Sequence, residues 1–435
     1  MGLQRWIVLL AVMALIAAAC GGGDDAADGD SVVPTEGLQL VRSAAPLADH
    51  SAVPTADIAA VVAADTALGV RLLDLIGGEG DNVIVSPYSV ASALGMLLPG
   101  ARGETRDELM AVLGVADEAA YHAGRGAVDA RVNEPGTPPP EGDAEAFTLR
   151  AVNQVFAQDG FPIEDAYLDV LAEDYDAAVA LVDFSEDPEG SRQVVNDWVE
   201  DQTEDRIVDL IPEGVITTLT RLVLANAVYF FANWEHQFDV DATRTGPFTR
   251  ADGSTVDVPL MQTSARLAYV DGDGYQAARL PYAGFTTSML VIAPDDLAAF
   301  VASLDTDTVA GILEALSDHQ VDLTMPRVEF RTEAGLKPVL QQLGLVKAFE
   351  APSVDGADLT GIHPERILFV QDAVHQAFVS IDEFGTEAAA ATAVVIGLES
   401  APPPAELSLD NPWLFMIMHD ETGAPLFIGQ VNDPS

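Results

Sequence analysis

Apolar residues recur along this 435-residue chain with two periods, one helical and one strand-like. Ile58, Val61, Val62, Leu68, Leu72, Leu73 and Leu75 follow helical spacing from about Asp57, and Gly77-Gly78 ends that helix. Val83-Ile84-Val85 predicts a short buried strand closed by Ser86-Pro87. Ser89–Leu98 predicts a second apolar helix, and Gly103-Glu104-Thr105 opens another around Leu109 and Leu113. Asn133–Gly142 is rich in proline and glycine and reads as a loop. Then come a strand over Phe147–Phe156, a helix over Ala166–Tyr175 and a strand over Ala178–Phe184. A helix over Arg192–Gln202 turns Val195, Trp198 and Val199 inward, and Arg221–Tyr229 is a buried strand. Strand patterns follow at Ala268–Val270, Tyr275–Leu280 and Ser288–Ile292. Leu297–Leu316 reads as helix, Val321–Phe330 as strand and Glu333–Leu343 as helix. Leu414–Met418 and Leu426–Gln430 form a hairpin around Thr422-Gly423. The mixture lacks strict β-α-β alternation and has no internal repeat, so the expected class is α+β.

One stretch stands apart from these elements. Ala377, Val379 and Ile381 alternate with Gln376, Ser380 and Asp382, and Gly385 then offers a pivot. Small or hydroxylic residues run from Ala388 to Thr392, ahead of Val394-Val395-Ile396. Drawn as a strand, Thr386, Ala388, Ala390, Thr392, Val394 and Ile396 share a face without a charge, and Glu387 falls on the other. Such a strand can enter a sheet without burying a charge. The alanine run fits a helix equally well.

The formal net charge is −49, from 69 acidic and 20 basic residues, and only Lys337 and Lys347 are lysines. Such a surface repels nucleic acid and polyanionic glycans. The acid is spread along the chain, which reads as a solvated surface, and a salty medium would screen its self-repulsion. Cys20 is the sole cysteine, so an intrachain disulfide is excluded. A charged start at Met1–Arg5, an apolar run Trp6–Ala19 and Ala17-Ala18-Ala19-Cys20 read as an export signal. It resembles a bacterial lipoprotein signal, with Cys20 lipidated, although leucine is more usual at Ala17. An ordinary secretory signal cut after A-x-A is the alternative. Either places the mature chain outside the cytoplasm. Gly21–Ser31 is a flexible acidic linker, and the expected organisation is signal 1–20, linker 21–56 and folded domain 57–435.

Enzyme chemistry finds little support. No G-x-S-x-G nucleophile motif occurs, and the seven histidines lack metal-ligand spacing on one helix. Asp271-Gly-Asp273-Gly-Tyr275 resembles a calcium loop but puts Tyr275 where an oxygen ligand belongs, so it reads as an acidic turn.

Short motifs spread from about Asp57 to Pro434 resemble the serpins, a family of serine protease inhibitors. They include Val85-Ser86-Pro87-Tyr88-Ser89, Pro99–Thr105, Val195–Val199, Leu224–Phe230 with Trp234, Ala357–Gly361, Pro412-Trp413 and Pro425–Gly429. Asp382-Glu383-Phe384-Gly385-Thr386-Glu387 with Ala388-Ala389-Ala390-Ala391-Thr392 resembles the hinge of the family's reactive-centre loop. The resemblance implies three β-sheets with surrounding helices and an exposed loop. It also implies a monomer without cofactor or catalytic site, consumed as it traps a serine protease by inserting the cleaved loop. That mechanism comes from the family, not from these residues. Ser86, Ser89, Asn226 and His375 match the shutter, where the sheet parts, and Trp234 matches the breach at its top; plain core packing explains Trp234 equally well. Counting from Glu383 puts the reactive bond at Glu399–Ser400, or at Leu398–Glu399 one step earlier. The first suits a glutamate-specific protease, the second a chymotrypsin-like or subtilisin-like one. A non-inhibitory binding or structural protein on the same fold is the alternative.

Overall fold

The computed structural model describes residues 38–78, 80–134, 147–284, 286–386 and 404–435. In chain order the elements begin β1 (Gln39–Val41), α1 (Thr55–Ile76), β2 (Val83–Val85), α2 (Pro87–Leu97), α3 (Gly103–Val112) and α4 (Glu118–Val132). They continue with β3 (Phe147–Gln158), α5 (Asp165–Tyr175), β4 (Val179–Val182), α6 (Pro188–Gln202), β5 (Leu222–Asn233) and β6 (Arg244–Thr249). Next come β7 (Thr255–Asp271), β8 (Tyr275–Pro281), β9 (Thr287–Pro294), α7 (Leu297–Ser303), α8 (Thr306–Ala315) and β10 (Ser317–Pro326). The last are β11 (Val328–Gly335), α9 (Leu336–Gln342), β12 (Val374–Ile381), β13 (Gly385–Thr386), β14 (Pro404–Ser408), β15 (Trp413–His419) and β16 (Pro425–Val431).

The strands form a seven-stranded sheet, ordered β1-β4-β3-β5-β13-β12-β11, and a path ordered β14-β10-β7-β8-β9-β15-β16-β2, with β6 on β7. Two of the three expected sheets are therefore continuous, because the long strand β7 belongs to both. Its start pairs β6, its middle pairs β10 and its last residues pair β8. Every residue of α2 is buried, since the helix lies between β3 and β5 on one side and β16 on the other. A helix enclosed on all sides must be apolar all round, and Pro87–Leu97 is close to that. The opposite face of the seven-stranded sheet packs on α6 through Phe156, Val195, Val199, Ala225 and Ala227.

Several expectations needed correction. The linker expected over 21–56 is ordered from residue 38 onward. There β1 pairs β4 antiparallel, Arg42 pairs Asp176, Ser43 bonds Asp169 and His50 is buried. These anchors are mostly polar and partly exposed, so they leave no hydrophobic period. The helix expected over Leu297–Leu316 is two helices: Leu304 is extended, and Asp305 caps the second by accepting from Thr308 N. Glu333–Gly335 is strand rather than helix, because pairing with Gln376, His375 and Val374 overrides its helical pattern. The pattern missed α4, whose Gly124 and Gly126 weaken its helical signal. Gly126 is required there, since a Cβ would lie 2.3 Å from His50 Nε2.

Candidate functional site

Three adjacent strands place Asn153 (β3), Asn226 (β5) and His375 (β12) side by side, because Asn153 is in register with Asn226 and Asn226 with His375. Below them Ser86 caps α2, its Oγ accepting from Ser89 N, and Pro87 supplies the fixed φ favoured in a first turn. The Ser86 backbone N–H donates to His375 Nε2 at 3.2 Å, so Nε2 carries the lone pair. Nδ1–H therefore donates to Asn226 Oδ1, 2.6 Å away, and the ring is neutral. Asn226 Nδ2 in turn donates to Asn153 Oδ1 and Ser89 Oγ. Burial pushes the His375 imidazole down to about 4, and nothing acidic opposes it. The structure thus joins Ser86, Ser89, Asn226 and His375, all buried, into one network across the sheet. Sequence reasoning missed Asn153; its signal was a single polar residue on the strand face that carries Leu149, Ala151, Val155 and Ala157.

Trp234 lies apart from this network, at the top of the same sheet. Its N–H donates to Phe384 O at 2.7 Å and its Nε1–H to Asp382 O at 3.0 Å. Its ring stacks on Tyr282 at 4.5 Å and 9°. These bonds fold Asp382–Phe384 into a tight turn, closed by Asp382 Oδ1 accepting from Phe384 N and Gly385 N. The turn delivers β13 between β5 and β12: Gly385 is in register with Asn233, and Thr386 with both Ala232 and Ile381. Gly385 is needed for this approach, since a Cβ would sit 2.1 Å from Ala232 O. Thr386 is buried and shares a hydrogen bond with the Tyr282 hydroxyl. Burial pushes that phenol up.

Glu383 is 1% exposed, an unusual place for a carboxylate. Arg327 Nε and Nη2 donate to it at 2.9 and 2.5 Å, and Thr243 Oγ1 donates as well. Burial works to raise its pKa, but the Arg327 and Thr243 bonds prevail and hold it below the usual glutamate range. Neither Thr243 nor Tyr282 was singled out by the sequence, because nothing in their local pattern distinguishes them; Pro326-Arg327-Val328 matched the family, but without a partner for Arg327.

Between the two clusters lies the end of the ladder that joins β5 and β12. Among the described residues the parallel ladder of β5 and β12 runs from Ala225/Val374 to Val228/Ala377 and stops. The next rung described between them is that of β13, with Thr386 in register with Ala232 of β5 and Ile381 of β12. Glu387, Ala388, Ala389, Ala390, Ala391, Thr392, Leu398, Glu399 and Ser400 lie outside the described residues, as does Cys20. Among the described residues no group of three or more His, Cys, Asp or Glu is placed to hold a metal ion.

Fold and site define an α+β protein whose seven-stranded sheet holds the start of a following segment, β13, between β5 and β12. Residues 63–434 match the family described as Serpin (serine protease inhibitor), and the chain belongs to the serpin family. It is 35% identical over 367 residues to a serpin-like protein of Thermococcus kodakarensis, covering 82% of each chain. It is 31% identical over 364 residues to a leukocyte elastase inhibitor of Equus caballus, covering 81% of this chain and 93% of that one. The solved native-state structure of the thermophilic serpin tengpin superposes with a TM-score of 0.77 at 22% identity, over 90% of this chain and 97% of that chain.

Proposed function

We propose that this serpin is a suicide-substrate inhibitor that traps a serine protease as an acyl-enzyme and inserts its cleaved loop between β5 and β12. The seating of β13 supports this most directly, since Gly385–Thr386, the start of the segment, already pairs with β5 and Thr386 with β12. Each backbone bond gained on insertion contributes about 0.5–1.5 kcal/mol. Burying Val394 and Ile396 adds about 1.5–3 kcal/mol apiece, and no charge enters on their face. In this reading Glu383 to Thr392 is the hinge, Ser86, Ser89, Asn226 and His375 are the shutter, and Trp234 is the breach. The reactive bond is Glu399–Ser400, with Leu398–Glu399 as the alternative register. The target is a glutamate-specific or a chymotrypsin- or subtilisin-like protease. Lipidated Cys20 ties the protein to the outer face of a membrane.

The test is to mix the soluble domain with a panel of serine proteases and run denaturing gels. A band at the summed mass that survives boiling in detergent is expected, and mass spectrometry of the released peptide identifies the bond. Thr386→Arg puts a charge into the buried slot and is expected to turn the inhibitor into a substrate. Clean loop cleavage with no such band for the unaltered protein would move the reading to a non-inhibitory serpin.

A further inference from the structure

The foot of the seam between β5 and β12 carries an apolar cavity of about 20 Å³. Val223 of β5, Val374 of β12 and Leu210, Ile211, Val215 and Ile216 of the segment after α6 line it. Val223 and Val374 turn to the sheet face that packs on α6, and both are only half-buried. A cavity leaves its lining atoms without part of their dispersion contacts, so an apolar side chain entering it is stabilised there. By the same measure one water needs about 10–15 Å³, so the cavity suits a methyl group or two and not a ring.

The register of β13 leads to this cavity. Gly385 and Thr386 pair antiparallel with Asn233 and Ala232, and Thr386 also pairs with Ile381. The offset between β5 and β12 at that rung equals the offset in their own ladder, from Ala225/Val374 to Val228/Ala377. Continued one residue per rung, the segment 387–403, outside the described residues, brings Ala391 opposite Ala227, Ala393 opposite Ala225 and Val395 opposite Val223. Directly opposed residues share a face, so these three turn toward α6. Their sizes match what each meets. Val195 and Val199 of α6 pack on Ala225 and Ala227, where an alanine fits, and the cavity follows at Val223. On that face Val395 is the sole aliphatic residue larger than alanine between Gly385 and Gly397. We propose that the cavity is the docking site of Val395 in the cleaved, inserted loop. The proposal rests on the insertion reading and adds an anchor on the α6 side to Val394 and Ile396, since Val394 and Ile396 turn to the opposite face.

The test compares intact protein with protein cleaved on the carboxyl side of Ile396, the cut verified by mass spectrometry. Guanidinium midpoints are measured for both forms of the unaltered chain and of Val395→Asp. Cleavage is expected to raise the midpoint of the unaltered chain. Val395→Asp is expected to lower the cleaved midpoint by a few tenths molar and to leave the intact one in place. Equal cleaved midpoints for the two chains would overturn the docking and leave insertion standing. No rise on cleavage of the unaltered chain would overturn both. Val395→Ala and Ile216→Ala, singly and together, locate the contact. Their losses should fall short of additivity in the cleaved form and add in the intact one, and additive losses in both forms would also overturn the docking. A cleaved protein that elutes as an oligomer, and as a monomer once it carries Val395→Asp, would assign the cavity to the loop of a second copy and overturn the proposal.

Discussion

The Tyr282 hydroxyl lies 2.7 Å from Thr386 Oγ1, and both side chains are buried. Through this bond a residue at the end of β8 holds the first rung of β13 inside the sheet, and its ring stacked on Trp234 keeps the hydroxyl aimed. Tyr282→Phe keeps the stacking and removes the bond. We expect the native thermal midpoint to fall by the equivalent of about 1 kcal/mol, or somewhat more where Thr386 is left without a partner. Hydrogen exchange at Thr386 and Asn233 should quicken in the same variant. Unchanged exchange would mean that backbone pairing alone seats the rung.

The clamp on Glu383 offers a second test. Removing one partner of a buried ion pair strands the other, at a cost of about 3–5 kcal/mol where both are enclosed. Arg327 is 43% exposed and partly screened, so Arg327→Ala should cost less, about 2 kcal/mol, read by urea unfolding. Glu383→Gln, which keeps an acceptor but removes the charge, should cost less than Arg327→Ala. The sign with pH follows from the lowered pKa. The clamp stabilises above the ordinary glutamate value and loses that contribution as pH falls through the native value, so the gap between wild type and Arg327→Ala should close in acid.

His375 makes the buried network across the sheet acid-sensitive. Native imidazole protonates at about 4, while the unfolded chain protonates near the ordinary histidine value of about 6.5. The unfolded state therefore binds more protons in between, and stability is lost as pH falls through that window, by about 2 kcal/mol at pH 5. His375→Gln removes this loss while keeping hydrogen-bonding groups. Its unfolding free energy should vary less between pH 7 and 5 than that of the intact protein, and an equal slope would place the acid sensitivity elsewhere.

Much of the site was legible because its residues lie in strongly patterned segments. Ser86-Pro87 announces a capped helix, and His375 and Thr386 fall on inward positions of alternating strands. The partners were not legible. Asn153, Tyr282, Thr243 and Arg327 are 73, 104, 140 and 56 residues from the groups they bond. Hydrophobic period reports which face a residue turns inward and carries no information on what meets it there. The same limit explains Glu333–Gly335, where pairing with β12 overruled a local helical pattern, and β1, whose anchors are polar and partly exposed.

By itself the amino-acid order determined the α+β class, the buried helix after Ser86-Pro87 and the closing hairpin. Those follow from period, caps and side-chain size, all of which act between near neighbours. Tertiary structure alone decided that β13 enters between β5 and β12, that Glu383 is clamped and that Arg125 is buried against Asp65. Each depends on where distant strands and helices come to rest, because desolvation and hydrogen bonding act on groups only once packing has brought them together.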